Sequence, residues 1–206
     1  YEELGDFVGQ SNALNNLGVA AYYAGDLDRA VDLWERSEAA CARAGDVIGE
    51  ARQQNNIGEV LSDRGQLDRA RSLFEAAGET FNSAGHTIGE ALTLSNLGRV
   101  ATREGKTVEA EVLLSTALGM FRHIGASAFA CEADVRIVEN FVAAASWDEG
   151  ARHAEDLLLR APRDAGIGRQ ESALARLRGM CLAALGNTEA ARQSLEQAVS
   201  VARKRG

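Results

Sequence analysis

From Leu27 to Ala44 the apolar or small residues Leu27, Ala30, Val31, Trp34, Ser37, Cys41 and Ala44 recur mostly at three- and four-residue intervals. That spacing lays a single stripe along a helix of 3.6-residue period. Gly25-Asp26 stands before it: the glycine suits the left-handed turn that ends a preceding helix, and the aspartate can cap the next. Gly65-Gln66, Gly105-Lys106 and Gly186-Asn187 occupy matching points, and Gly45-Asp46, Gly85-His86 and Gly125-Ala126 mark the return turns. After the second return turn, Thr87-Ile88-Gly89-Glu90 has capping-box spacing. Runs of Val, Ile, Thr and aromatic residues, the mark of strands, are missing. The pattern predicts an all-α chain built of helix pairs.

The pairs repeat. "LNNLGVAAYYAGDLDRA" at residues 14–30 returns forty residues on as "QNNIGEVLSDRGQLDRA" and again at 94–110 as "LSNLGRVATREGKTVEA". Gly18, Gly58, Gly98 and Gly179 fall inside the first helix of a pair, where glycine costs about 1 kcal/mol relative to alanine. A recurring penalty implies close approach of a second backbone. The expected neighbours are Ala30, Ala70, Ala110 and Ala191, twelve residues later, with Leu17, Ile57 and Leu97 filling the groove beside them. Five antiparallel pairs can be drawn: 7–44, 46–84 and 86–124 are regular, 126–161 is degenerate, and 167–205 recovers the signature. Residues 1–5 align with the tail of an earlier second helix, so the open N-terminal side is expected to expose apolar surface and allow self-association. With Tyr1 in place of Met, the sequence reads as a piece of a longer chain.

Composition narrows the chemistry. The 22 basic and 30 acidic side chains give a net charge of −8, and the only short basic run is the terminal "ARKRG". A chain binding the phosphate backbone directly would want a basic stripe, so no direct nucleic-acid contact is expected. No apolar run reaches the roughly 18 residues a membrane span requires, and no signal peptide is evident; a cytoplasmic location is expected. Cys41, Cys131 and Cys181 are widely spaced, odd in number and set on apolar helix faces, which points to reduced buried thiols rather than disulfides or a metal site. His86, His123 and His153 are scattered, "GIG" at 166–168 follows no strand, and no hydroxyl or thiol has a base nearby in sequence. The expectation is no catalytic residue, no metal and no cofactor.

Leu17-Gly18, Gly25-Asp26, Ala30 and Trp34 together resemble the signature of the tetratricopeptide repeat (TPR), here with longer helices than the usual ~34-residue unit. The resemblance spans nearly the whole chain as a single array, 1–206. It implies a right-handed superhelical solenoid of about five helix pairs whose first helices line a concave surface. By the family's positional pattern the surface-lining residues are Asn12, Asn15, Asn16, Val19, Tyr22 and Tyr23, then Arg52, Asn55, Asn56, Glu59, Ser62 and Asp63. Ser95, Asn96, Arg99, Thr102 and Arg103 follow in the third pair. Asn16, Asn56 and Asn96 form a ladder of carboxamides, each both donor and acceptor; they either hold the main chain of an extended peptide or bond a neighbouring helix. Tyr22 and Tyr23 are either aromatic anchors for a partner or packed against another repeat. The expected partner is a protein or extended peptide, another domain of the same parent chain among the candidates.

"NNIGEVLSDRGQLDRA", "LSNLGRVATREGK" and "EADVRIVENFVAAASWDEGA" also resemble the C-terminal repeats of actinobacterial signalling proteins with an adenylate/guanylate cyclase-type domain or an ATPase module. That resemblance implies a regulatory, non-catalytic segment of a bacterial signalling protein. The sensor TPR region of a bacterial transcription regulator and a peptide-pheromone receptor are the alternatives.

Overall fold

The computed structural model describes residues 6–160 and 165–205, and among these there are helices and turns but no strand. Ten helices follow one another: α1 (Phe7–Tyr23), α2 (Leu27–Ala44), α3 (Val47–Asp63), α4 (Leu67–Ser83), α5 (Thr87–Arg103), α6 (Thr107–His123), α7 (Ser127–Ala143), α8 (Trp147–Arg160), α9 (Ala165–Ala184) and α10 (Thr188–Arg205). The chain forms two compact units, divided inside α5 between Val100 and Ala101. In the first unit α1 packs on α2, α2 on α3 and α3 on α4; in the second, α6 packs on α7, α8 on α9 and α9 on α10.

Local chemistry explains where the helices begin. Asp6, Asp26 and Asp46 accept hydrogen bonds from the backbone N–H groups of Gly9, Arg29 and Gly49, satisfying donors that the first helical turn leaves free. At α5 the capping box predicted for Thr87 and Glu90 does not form. His86 is the cap instead: its Nδ1 accepts from the Gly89 N–H at 3.1 Å, and its ring stacks on Phe81. Glu90 is engaged elsewhere, accepting from Asn82 Nδ2 at 2.8 Å. The imidazole thus takes the position held by aspartate in the two preceding pairs.

The turns are equally regular. Gly25, Gly45, Gly65, Gly85, Gly105, Gly125 and Gly186 all have positive φ, as the sequence anticipates for left-handed helix ends. The degenerate fourth pair keeps the same turn without the glycine. Ala145 takes φ +54° there, and Ser146 N–H reaches the Phe141 carbonyl at 2.9 Å, just as Gln66 N–H reaches Leu61 in the second pair. A side chain in this region costs roughly 1–2 kcal/mol. Ala145→Gly should therefore stabilise the second unit by about 1 kcal/mol, read as a raised midpoint in urea unfolding; an unchanged or lowered midpoint would show that the turn carries no strain.

Packing corrects one expectation. A Cβ added at Gly58 would lie 2.7 Å from Cε1 of Phe74, and one at Gly18 would lie 2.6 Å from Cδ1 of Trp34. At Gly179 the nearest atom is Cγ of Leu195 at 2.7 Å, ahead of the Ala191 carbonyl oxygen at 3.3 Å. The glycines seat the large side chain sixteen residues on, and the backbone beside the alanine is secondary. Ala30, Ala70, Ala110 and Ala191 are buried all the same. Leu17 departs further from expectation: it is 53% exposed, whereas Ile57 in the same register is 7% exposed.

Candidate partner-binding face

The three first helices α1, α3 and α5 carry the predicted surface residues, and the structure sorts them into an inner bonded row and an outer open one. Asn56 Nδ2 donates to Asn15 Oδ1 at 3.3 Å, and Asn96 Nδ2 donates to Asn55 Oδ1 at 3.0 Å. Both bonds span forty-one residues, so one geometry ties α3 to α1 and α5 to α3. Asn96 also donates to Glu59 Oε1 at 3.0 Å. Asn55 is buried and Asn96 is only 1% exposed. Carboxamides so placed satisfy one another in a low-dielectric setting, where an unpaired one would be costly. Asn55 and Asn96 have almost no surface to offer a partner, while Asn15 and Asn56 are half-buried.

One turn further along, a second network joins the same helices. Tyr22 OH donates to Asp63 Oδ2 at 3.4 Å, and Arg99 Nη1 donates to Asp63 Oδ1 at 3.2 Å. Burial, followed by the carboxylates of Asp63 and Glu59, pushes the Tyr22 phenol above its ordinary pKa. The Tyr22 ring lies 5.9 Å from Trp34 and 5.7 Å, edge-on, from Tyr23. Tyr22 is thus held by its own pair and by α3. Ser62 and Ser95 are buried, and Arg99 and Thr102 half-buried, in the same helices.

The open row consists of Asn12, Asn16, Val19 and Tyr23 on α1, with Arg52 and the outer edge of Asp63 on α3. Tyr23 is 83% exposed, a large aromatic with a polar tip standing in water. Arg103 is exposed in the last turn of α5 and belongs to the second unit. Two hollows of the first unit lie elsewhere. One, of about 340 Å³, is lined by Glu35, Glu38, Ile57, Leu61 and Leu73; the other, of about 500 Å³, by Gly78, Asn82, Glu90, Thr93 and Leu97. Each draws on a second helix and the first helix that follows it, a combination no single-helix pattern displays.

Burial pushes the Cys41 and Cys181 thiols above their usual pKa, away from the nucleophilic thiolate. Among the described residues no group of three His, Cys, Asp or Glu side chains is placed to hold a metal ion. No helix among them is long and apolar enough to cross a membrane.

Comparison with known proteins agrees with this geometry. Tetratricopeptide-repeat family models match residues 9–77, 49–123 and 177–205. No curated protein matches the sequence. Among solved structures, the nearly identical, kinesin light chain-like TPR repeats of Podosopora anserina share 17% identity at a TM-score of 0.70, covering 94% of this chain and 95% of theirs. The apo form of RapI is similar at 14% identity and a TM-score of 0.65, over 96% of this chain and 85% of its own. YrrB, described as a TPR protein with an unusual peptide-binding site, is similar at 16% identity and a TM-score of 0.51, over 91% of this chain and 84% of its own.

Proposed function

This chain belongs to the tetratricopeptide-repeat family, and we propose that it is a non-catalytic scaffold whose α1/α3/α5 face binds an extended peptide or protein segment. One observation carries the reading: an exposed row of Asn12, Asn16 and Tyr23 borders a row already bonded inside the protein. The inner bonds fix the helices relative to one another, so the outer groups are ordered before a partner arrives and little freedom is lost on binding. Exposed carboxamides suit the alternating donors and acceptors of an extended main chain, and the exposed tyrosine suits an anchor. Glu59, Asp63 and Arg99 supply charge of both signs at the centre of the face. The peptide-binding site of YrrB supports the reading by analogy of fold.

The repeats fit the regulatory segment of a larger bacterial, cytoplasmic signalling protein in which a cyclase-type domain or an ATPase module precedes them. The partner is then a peptide, another protein, or another domain of the same polypeptide. Cyclase and ATPase motifs upstream in the parent gene would support this setting; a DNA-binding helix pair there would replace it with a transcription regulator.

Peptides selected on the immobilised protein from a random display library test the face itself. The triple variant Asn12→Ala/Asn16→Ala/Tyr23→Ala should weaken the selected peptides at least about tenfold, some 1.4 kcal/mol, with the unfolding midpoint unchanged. Asn96→Ala should do the reverse, costing about 1–3 kcal/mol of stability by orphaning Asn55 and Glu59. Full affinity in the triple variant would place the binding site elsewhere.

A further inference from the structure

Where a second helix meets the first helix that follows it, one register position governs how the groove between them is filled. Between α2 and α3 that position holds Glu38 and Gln54, joined by a hydrogen bond of 2.9 Å from Gln54 Nε2. Between α6 and α7 it holds Leu118, 7% exposed, and the buried Asp134, whose carboxylate Arg122 reaches from one turn further along α6. Between α4 and α5 the same positions are Gly78 and Leu94, and Asn82 stands at the register of Arg122. The short Asn82 side chain reaches Glu90 at 2.8 Å, and a hollow of about 500 Å³ is left over Gly78, Leu94 and Leu97. Its counterpart beside Arg122 and Asp134 is only about 210 Å³. Both helices that wall the larger hollow are complete, with α3 before them and α6 after them, so it is not an edge left where the sequence starts or stops.

The same hollow is walled by Glu75, Glu79 and Glu90, and no cation lines it. Glu75 stands 3.8 Å from Arg71, and Glu90 accepts from Asn82. Glu79 has no ion-pair or hydrogen-bond partner among the described residues. What α4 lacks is what α6 supplies in its own groove: apolar volume, and a guanidinium facing a carboxylate. Arginine brings both in one side chain. Its methylene stem packs on apolar surface, while its planar head makes paired bonds to carboxylates.

We propose that the α4–α5 groove is a second docking site, for an arginine carried on a basic segment of a separate partner protein. The stem lies over Gly78 between Leu94 and Leu97, and the guanidinium sits among the three glutamates. Charge separates this site from the peptide face, where Arg52 and Arg99 stand beside Glu59 and Asp63 and leave no acidic excess.

Amide NMR signals of the isotope-labelled chain test the site against a short helical peptide of alanine, leucine and arginine. Adding the peptide should move the signals of Gly78, Glu79 and Leu94 and leave those of Asn16 and Tyr23 in place. Replacing its arginines by citrulline, which has the same shape without the charge, should abolish the shifts, and high salt should weaken them. Asn82→Arg sets a guanidinium of this chain at the register of Arg122 and should weaken binding at least about tenfold. Ala76→Arg adds the same charge to α4 outside the hollow and should leave binding unchanged. Both positions are exposed, so both variants should keep the wild-type circular dichroism. Glu79→Gln, at a side chain with no partner to lose, should weaken binding as well. The triple variant Asn12→Ala/Asn16→Ala/Tyr23→Ala should bind this peptide as wild type does, which keeps failure of the groove distinct from failure of the peptide face. Silence of Gly78 and Leu94, equal binding of the citrulline peptide, or full affinity in Asn82→Arg or Glu79→Gln would overturn the proposal. So would loss of binding in a longer parent polypeptide, because the groove would then be covered from within the same chain.

Discussion

Gly58→Leu should destabilise the first unit by about 3 kcal/mol or more, read as a lowered midpoint in urea unfolding. The Phe74 ring lies against the bare backbone at Gly58 and is itself completely buried, so it has no free volume into which to retreat. Even a Cβ arrives at 2.7 Å from Cε1, closer than carbon atoms tolerate without movement. Adding three further carbons must displace the ring, and overpacking of a close-packed core costs about 1–3 kcal/mol or more. Domains of this kind hold only about 5–15 kcal/mol in reserve. Gly119 in α6 supplies the control, because it is exposed and nothing lies within 4 Å of an added Cβ. Gly119→Ala should raise stability by up to about 1 kcal/mol through helix propensity alone, while Gly58→Ala should lower it. Opposite signs for the same substitution in urea unfolding would establish the seating of Phe74; a gain at both sites would refute it.

That contrast shows what was legible in the chain and what was not. The helix ends could be read directly, because Gly25, Gly65 and Gly105 declare a backbone conformation that depends on the residue itself. The partner of Gly58 could not. Sequence spacing pairs it equally well with Ala70 at twelve residues and Phe74 at sixteen, and only the crossing of two helices decides which lies above the glycine. The asparagine ladder was visible as a repeat, yet its bonds run from Asn96 to Asn55 and from Asn56 to Asn15, one residue out of the forty-residue register. A search for equivalent positions stacks Asn16, Asn56 and Asn96 and passes over that diagonal. His86 escaped for a different reason: Thr87 and Glu90 satisfy the capping-box rule, whereas imidazole is a rare cap. Ala145 shows that a turn formed by tertiary packing can hold without its glycine, at some cost in strain.

The largest departure from the repeat lies in the second unit, and it yields a prediction of comparable size. Asp134 on α7 stands at the register of Gln54 and Leu94, on the side of the helix that faces its predecessor, and only 3% of its side chain is exposed. Arg122 Nη2 of α6 reaches both of its carboxylate oxygens at 3.3 Å, and His153 Nε2 of α8 stands 3.7 Å from Oδ1. The neighbouring hollow, about 210 Å³, is lined by Phe121, Ala130 and Cys131 together with Ser127 and Arg160. Arg122→Met keeps the length of the side chain and removes the cation that contacts Asp134, leaving the buried carboxylate with His153 and, across the hollow, Arg160. Breaking a buried pair in this way costs about 3–5 kcal/mol; the exposure of half of Arg122 argues for the lower end. Replacing both partners removes the stranded charge as well as the attraction, and such exchanges are often neutral. Arg122→Met/Asp134→Leu should therefore recover to within about 1 kcal/mol of wild type. If urea unfolding instead shows the double variant to be as weak as Arg122→Met alone, the guanidinium stabilises α6 and α7 through packing of its stem, and the carboxylate is held by other means.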